Sequence, residues 1–141
     1  MKNLITLILG FTLIVGCSQS QIQTNLNETL VVRNNGADMP VYLHGDVTSK
    51  VIMLVVHGGP GGSGLEYRSG RYVEELEKDF ALAYWDQRGQ GMSHGHYTNE
   101  DLTVAQMTED LNAVIISLRH KYGQDIKLFL FGHSWGGTLT S

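Results

Sequence analysis

Phe129-Leu130-Phe131-Gly132-His133-Ser134-Trp135-Gly136-Gly137 is the stretch on which the reading of this sequence turns. An apolar, β-rich run from Lys127 to Phe131 breaks into Gly132-His133-Ser134-Trp135-Gly136, the G-x-S-x-G pattern of a serine on a sharp strand-to-helix turn. A serine hydroxyl is a poor nucleophile at neutral pH, so an enzyme that uses one holds its Oγ at a tight bend where a base can reach it. Glycine at 132 and 136 removes a Cβ from the two places where strand and helix crowd the bend, which puts Ser134 in a strained backbone region. With 17 Gly in 141 residues the pattern would arise by accident in roughly one chain in ten of this composition, so its context must decide.

Upstream, Val51 to Val56 is a continuous apolar run without alternation, as expected of a strand covered on both faces in a parallel sheet. It runs into His57-Gly58-Gly59-Pro60-Gly61-Gly62, where the backbone can approach a ligand closely and aim its N–H groups. Tyr72 to Lys78 reads as a helix with Tyr72, Val73 and Leu76 inward, and Phe80 to Trp85 as the next strand, ending in Asp86-Gln87-Arg88-Gly89-Gln90-Gly91-Met92-Ser93. Val104 to Lys121 is the clearest helix. Thr103 with Gln106 forms a capping box, Val104, Met107, Leu111, Val114, Ile115 and Leu118 recur at helical spacing, and Gly123 is the stop. Near the start, Thr29 to Arg33 and Val41 to His44 flank the turn-rich Asn34 to Asp38 and read as a hairpin. This alternation predicts an α/β fold with helices packed on a mostly parallel sheet, and it sends the loops after Val56, Trp85 and Phe131 to one sheet edge.

The composition, 42% hydrophobic and 17% charged, is that of one globular domain. A net charge of −4 without a basic cluster leaves no electrostatic footprint for nucleic acid. No residue pattern asks for a cofactor. His94 and His96 form an H-x-H pair without accompanying ligands, so a metal site is not expected. Met1-Lys2-Asn3 and the apolar Leu4 to Val15 have the form of a secretory signal, too short to span a bilayer as a helix. Ile14-Val15-Gly16-Cys17 resembles the lipobox of bacterial lipoproteins. That resemblance implies a signal peptide over 1–16, acylation of Cys17, and a lipid-anchored place in the bacterial cell envelope without a spanning helix. Cys17 is the only cysteine, so no internal disulfide forms. The polar stretch 17–28 reads as a tether, and 29–141 as the folded part.

HGGPGG, DQRGQGMS and GHSWGG, in that order and spacing, resemble the α/β-hydrolase fold, and within it the proline iminopeptidase family of serine aminopeptidases. The resemblance implies that Ser134 is the nucleophile, that the Gly59 and Trp135 N–H groups form an oxyanion hole, and that the substrate is a peptide with a small N-terminal residue such as proline, cleaved through an acyl-enzyme. For Trp135 there is a separate physical reason, since N–H groups at a helix start are unpaired and favour an anion. Asp86 and Arg88 read as scaffold, Pro60 as a brace for the glycine loop, and His57 as a hydrogen-bonding partner of the loop backbone; His133 is expected to point away from Ser134. In this fold the acid and base of the triad follow the serine, yet Trp135 to Ser141 contain no Asp, Glu or His. The expectation is an N-terminal portion of a longer hydrolase, truncated after the elbow, with the elbow strand open along one edge, little activity of its own and a tendency to aggregate. A small-molecule esterase or amidase, and a surface lipoprotein whose hydrolase-like domain only binds a ligand, are the alternatives.

Overall fold

The computed structural model describes residues 25–141; the expected signal peptide, Cys17 and most of the expected tether lie outside the described residues. The hairpin consists of β1 (Asn25–Asn34) and β2 (Ala37–Asp46), paired antiparallel along their whole length. Only Asn35 and Gly36 separate them, with φ of 39° and 80°. An Asn-Gly pair accepts left-handed backbone at both positions, which is what a two-residue type I′ turn requires. β1 begins four residues before the expected start at Thr29, so Asn25 to Glu28 belong to the sheet and not to a tether. Their polar side chains disguised a sheet-edge strand in which only Leu26 of that segment is buried.

The sheet order is β1-β2-β4-β3-β6, with β3 (Val51–Val56), β4 (Ala81–Trp85) and β6 (Lys127–Gly132) parallel. The two-residue β5 (His94–Gly95) pairs with β2. The chain passes from β3 through α1 (Arg71–Asp79) to β4, then returns through α2 (Val104–Tyr122) over β3 to β6. Right-handed crossovers running in opposite directions put their helices on opposite faces. Accordingly Met107, Leu111, Val114 and Leu118 of α2 join the large core under one face, and Leu76 of α1 packs on the smaller cluster of Val55, Leu82 and Tyr84 under the other. Val73 is buried as expected, while the Tyr72 side chain lies outside what the structure describes. The α/β class follows as predicted.

Two details of α2 differ from expectation. Thr103 caps the helix by accepting from Gln106 N at 3.1 Å, but the Gln106 side chain donates to Asp110 Oδ1 at 3.1 Å instead of closing a reciprocal box. Val104 belongs to the apolar stripe by spacing yet is 55% exposed. Gly123 ends the helix as read, at φ 112°, with its N–H on Arg119 O.

Candidate functional site

Register brings the three loops together. Val56 stands opposite Trp85 on one side and Gly132 on the other, so β3, β4 and β6 end at the same level. The strand order reverses around β3, and in open α/β sheets the crevice beyond such a reversal is where ligands bind.

At the end of β6 the chain turns through Ser134, whose φ of 53° and ψ of −120° lie where non-glycine residues are rarely found, and enters the short helix α3 (Trp135–Leu139). The glycines permit this turn sterically. A Cβ on Gly136 would stand 1.8 Å from Val56 O, and one on Gly132 would stand 2.5 Å from Gly136 O. His133 N donates to Val56 O at 3.2 Å, which ties the bend to β3. Ser134 is exposed, and its hydroxyl bonds to no side chain among the described residues. Gly58 lies against the bend: a Cβ there would stand 3.2 Å from both Ser134 Cβ and His133 Nδ1.

The His57 ring is wholly buried. Its Nδ1 lies 2.6 Å from Gly58 O and its Nε2 3.4 Å from Gln87 N, an arrangement satisfied by a neutral ring with the proton on Nδ1. The Gln87 side chain then bridges the loops, donating to His57 O at 2.8 Å and accepting from Trp135 Nε1 at 3.1 Å. His133 points to Tyr67, a residue of the 3₁₀ turn Gly64–Tyr67, with Tyr67 OH 2.6 Å from Nδ1. Tyr67 OH also accepts from Gly58 N at 3.3 Å. His57 thus bonds to the loop backbone, as the sequence suggested, and His133 is held by a tyrosine of a neighbouring turn. Tyr67 was not foreseen, since nothing in the spacing connects it with a histidine 66 residues away.

Asp86 and Arg88 are the scaffold they were read as. Asp86, buried at the end of β4, accepts four hydrogen bonds: Ser63 Oγ at 2.7 Å and Gly64 N at 2.9 Å on Oδ1, Tyr42 OH at 3.2 Å and Met92 N at 2.8 Å on Oδ2. Burial, and then the neighbouring Asp86 charge, push the Tyr42 hydroxyl up, so it stays a donor. Arg88 is fully buried and grips Asp110 of α2 with two bonds, Nε to Oδ2 at 2.7 Å and Nη2 to Oδ1 at 2.8 Å. Its remaining N–H groups reach Asn34 O and Asn35 O in the hairpin turn, and Tyr97 stacks 5.2 Å from the guanidinium. The bond to Asp110 raises the guanidinium above its already high range. One side chain therefore fastens the β4 loop, the β1–β2 turn and α2. Asp110 was missed because it is an acidic residue on an otherwise apolar helix face.

Between these loops opens a cleft of about 270 Å³ lined by Gly59, Pro60, Gln90, Leu102, Met107 and Trp135, with Arg88 and Gly89 beneath. Gly59 and Trp135 thus border one space beside the Ser134 turn. The N–H groups of both residues lack a hydrogen-bond partner among the described residues. The Gly59–Pro60 peptide bond is cis. His94 and His96 are exposed beside the start of β2, and no group of three or more metal-ligating side chains occurs among the described residues.

Comparison with known proteins agrees with this fold. Residues 48–141 match the family model described as serine aminopeptidase, S33. The probable aminopeptidase YbaC of Bacillus subtilis is 36% identical over 89 residues, covering 62% of this chain and 27% of its own length. The proline iminopeptidase of Neisseria gonorrhoeae is 37% identical over 90 residues, covering 64% and 26%. The chain spans about a quarter of the length of these curated relatives. Among solved structures, the proline iminopeptidase-related protein of Thermus thermophilus superposes with a TM-score of 0.63 at 27% identity, over 81% of this chain and 38% of its own. Haloalkane dehalogenase DpaA of Paraglaciecola agarilytica superposes at 0.65 with 21% identity, over 86% and 40%, a likeness of fold alone.

Proposed function

The chain belongs to the serine aminopeptidase S33 family of α/β-hydrolases, and from that premise we propose that it carries the nucleophile half of a serine aminopeptidase that releases a small N-terminal residue, such as proline, from peptides. The observation that carries this reading is Ser134 itself, exposed at φ 53° between a strand and a helix, with Gly59 and Trp135 bordering the cleft beside it. Ser134 Oγ attacks the scissile carbonyl, its proton passing to a base and the carbonyl electrons to oxygen. The Gly59 and Trp135 N–H groups receive that oxyanion, the amine leaves with a proton returned by the base, and water then releases the acyl group. The glycine loop and the helix start supply donors that are already oriented, so no reorganisation is needed when charge develops.

The histidines of the glycine loop and of the serine turn, His57 and His133, are both engaged in the scaffold. This reading therefore takes the base and its acid from sequence outside these 141 residues. We also propose that Cys17 is acylated and holds the protein at the cell envelope; no helix among the described residues is long and apolar enough to cross a membrane.

The experiment is made on the protein isolated from its native cells. Its mass is measured intact and after digestion, and it is assayed with proline- and alanine-amide chromogenic substrates and with short esters. A fluorophosphonate probe is expected to label Ser134, and Ser134→Ala to lower kcat by at least about 10⁴-fold. Equal turnover by the Ser134→Ala protein would overturn the assignment, and turnover of esters without amides would replace the aminopeptidase reading by an esterase. An unmodified Cys17 thiol in the mature protein would refute the anchor.

A further inference from the structure

Gln90 occupies the middle of Gly89-Gln90-Gly91, where both glycines take left-handed backbone, φ 73° and 54°. Its N–H donates to Gln87 O and its carbonyl accepts from Ser93 N, each at 3.0 Å, so the backbone on either side is held in consecutive turns. The side chain is only 6% exposed and reaches across to the glycine-rich loop. There Oε1 accepts from Gly61 N at 3.0 Å, which fixes the orientation of the carboxamide, because only its oxygen can receive an N–H. The same oxygen lies 2.5 Å from where a Cβ on Gly59 would be, so Gln90 fills the space that a side chain at 59 would need.

These two contacts enclose Pro60, whose ring locks φ. The segment from Gly59 to Gly61 is thus packed at one end, hydrogen-bonded at the other and stiff in between. On its far side Gly58 is held through N–H by Tyr67 and through its carbonyl by His57. The Gly59 N–H is the one left over, and it is aimed by what is done to its neighbours.

We propose that Gln90 is a positioning residue for the Gly59 N–H: it braces the loop through Gly61 and through the Cα face of Gly59, without touching the substrate. The brace stands on the geometry alone, and its catalytic consequence rests on the serine aminopeptidase reading above. An oxyanion exists only from the transition state onward, so a misaimed donor slows the chemical step while leaving substrate binding in place. Misplacement of a catalytic group by about 1 Å costs on the order of a hundredfold.

Two variants separate acceptor from bulk. Gln90→Met keeps the length and removes the acceptor, whereas Gln90→Glu keeps an acceptor for Gly61. In the 141-residue chain, amide exchange at Gly61 is expected to be about tenfold faster in Gln90→Met than in the parent, and near the parent rate in Gln90→Glu. In the active protein from its native cells, Gln90→Met is expected to lower kcat by about ten- to a hundredfold with KM within about twofold. Unchanged Gly61 exchange in Gln90→Met, unchanged kcat, or a loss confined to KM would overturn the proposal. Where Gln90→Met fails to fold, Gln90→Glu decides: a protected Gly61 supports the brace and an unprotected one in a folded protein refutes it. Absence of any hydrolysis by the parent protein would sink the aminopeptidase reading, and the exchange rates would still settle whether Gln90 holds the loop.

Discussion

The loop after β4 and the strand β6 reverse the usual relation between hydropathy and burial. Asp86, Gln87 and Arg88 are polar and completely buried, while Phe129 and Phe131 are apolar and 56% and 49% exposed. The loop can be buried because its polar groups have found partners: four donors on Asp86, a carboxylate and two carbonyls on Arg88, a carbonyl and an indole N–H on Gln87. β6 is exposed because β3 is its only strand neighbour among the described residues and helix α3 behind it is short. On the α1 face, Phe131 borders an open apolar cavity of about 280 Å³ with Met53, Val55 and Tyr67. What the contrast teaches is that burial follows a residue's place in the network of partners, and hydropathy only sets the cost of that place.

The largest effect should come from breaking the buried ion pair. Arg88→Met leaves the Asp110 carboxylate buried with only the neutral donors Asn34 and Gln106, and should cost about 3–5 kcal/mol in urea unfolding. Adding Asp110→Leu to Arg88→Met should recover much of that loss, because an apolar pair no longer asks for partners. A single-variant cost under about 1 kcal/mol would mean that water reaches the pair and that the loop is less closed than its burial suggests.

On the other side of the comparison, Phe129→Thr with Phe131→Thr should change unfolding free energy by less than about 1 kcal/mol while reducing light scattering of the chain at high concentration. A loss of several kcal/mol would show that these rings are covered in solution.

An exposed ion pair supplies the smallest effect. The hydrogen bond from Arg33, at 2.5 Å, holds the Asp38 carboxyl below its usual 3.8. A carboxyl whose folded pKa is depressed contributes stability above its unfolded pKa and loses it as pH falls through the folded value. Asp38→Asn should therefore flatten the fall of Tm below about pH 4 and leave Tm near neutrality almost unchanged, as for an exposed surface pair. Superimposable acid limbs would show that the pair is solvated apart.

Much of this could be read from the chain, because it lay in local pattern. The elbow, the glycine loop, the bounds of α2 to within a residue, and the scaffold roles of Asp86, Arg88 and His57 all follow from residue types whose short-range chemistry admits few alternatives. Polar Asn25 to Glu28 looked like a tether because an edge strand needs few apolar side chains, and its pairing partners, Asp46 back to Leu43, lie beyond the hairpin turn. Tyr67 on His133, Asp110 under Arg88 and Gln90 on Gly61 were invisible for a related reason. Each joins residues separated by 22 to 66 positions, and nothing local marks one as the other's partner. By itself, then, the sequence determined which segments become strands and helices and where the serine turn falls, since those are set by short-range sterics and hydropathy. Only the tertiary structure decided which side chain braces which loop, because that depends on what the sheet order and register bring side by side.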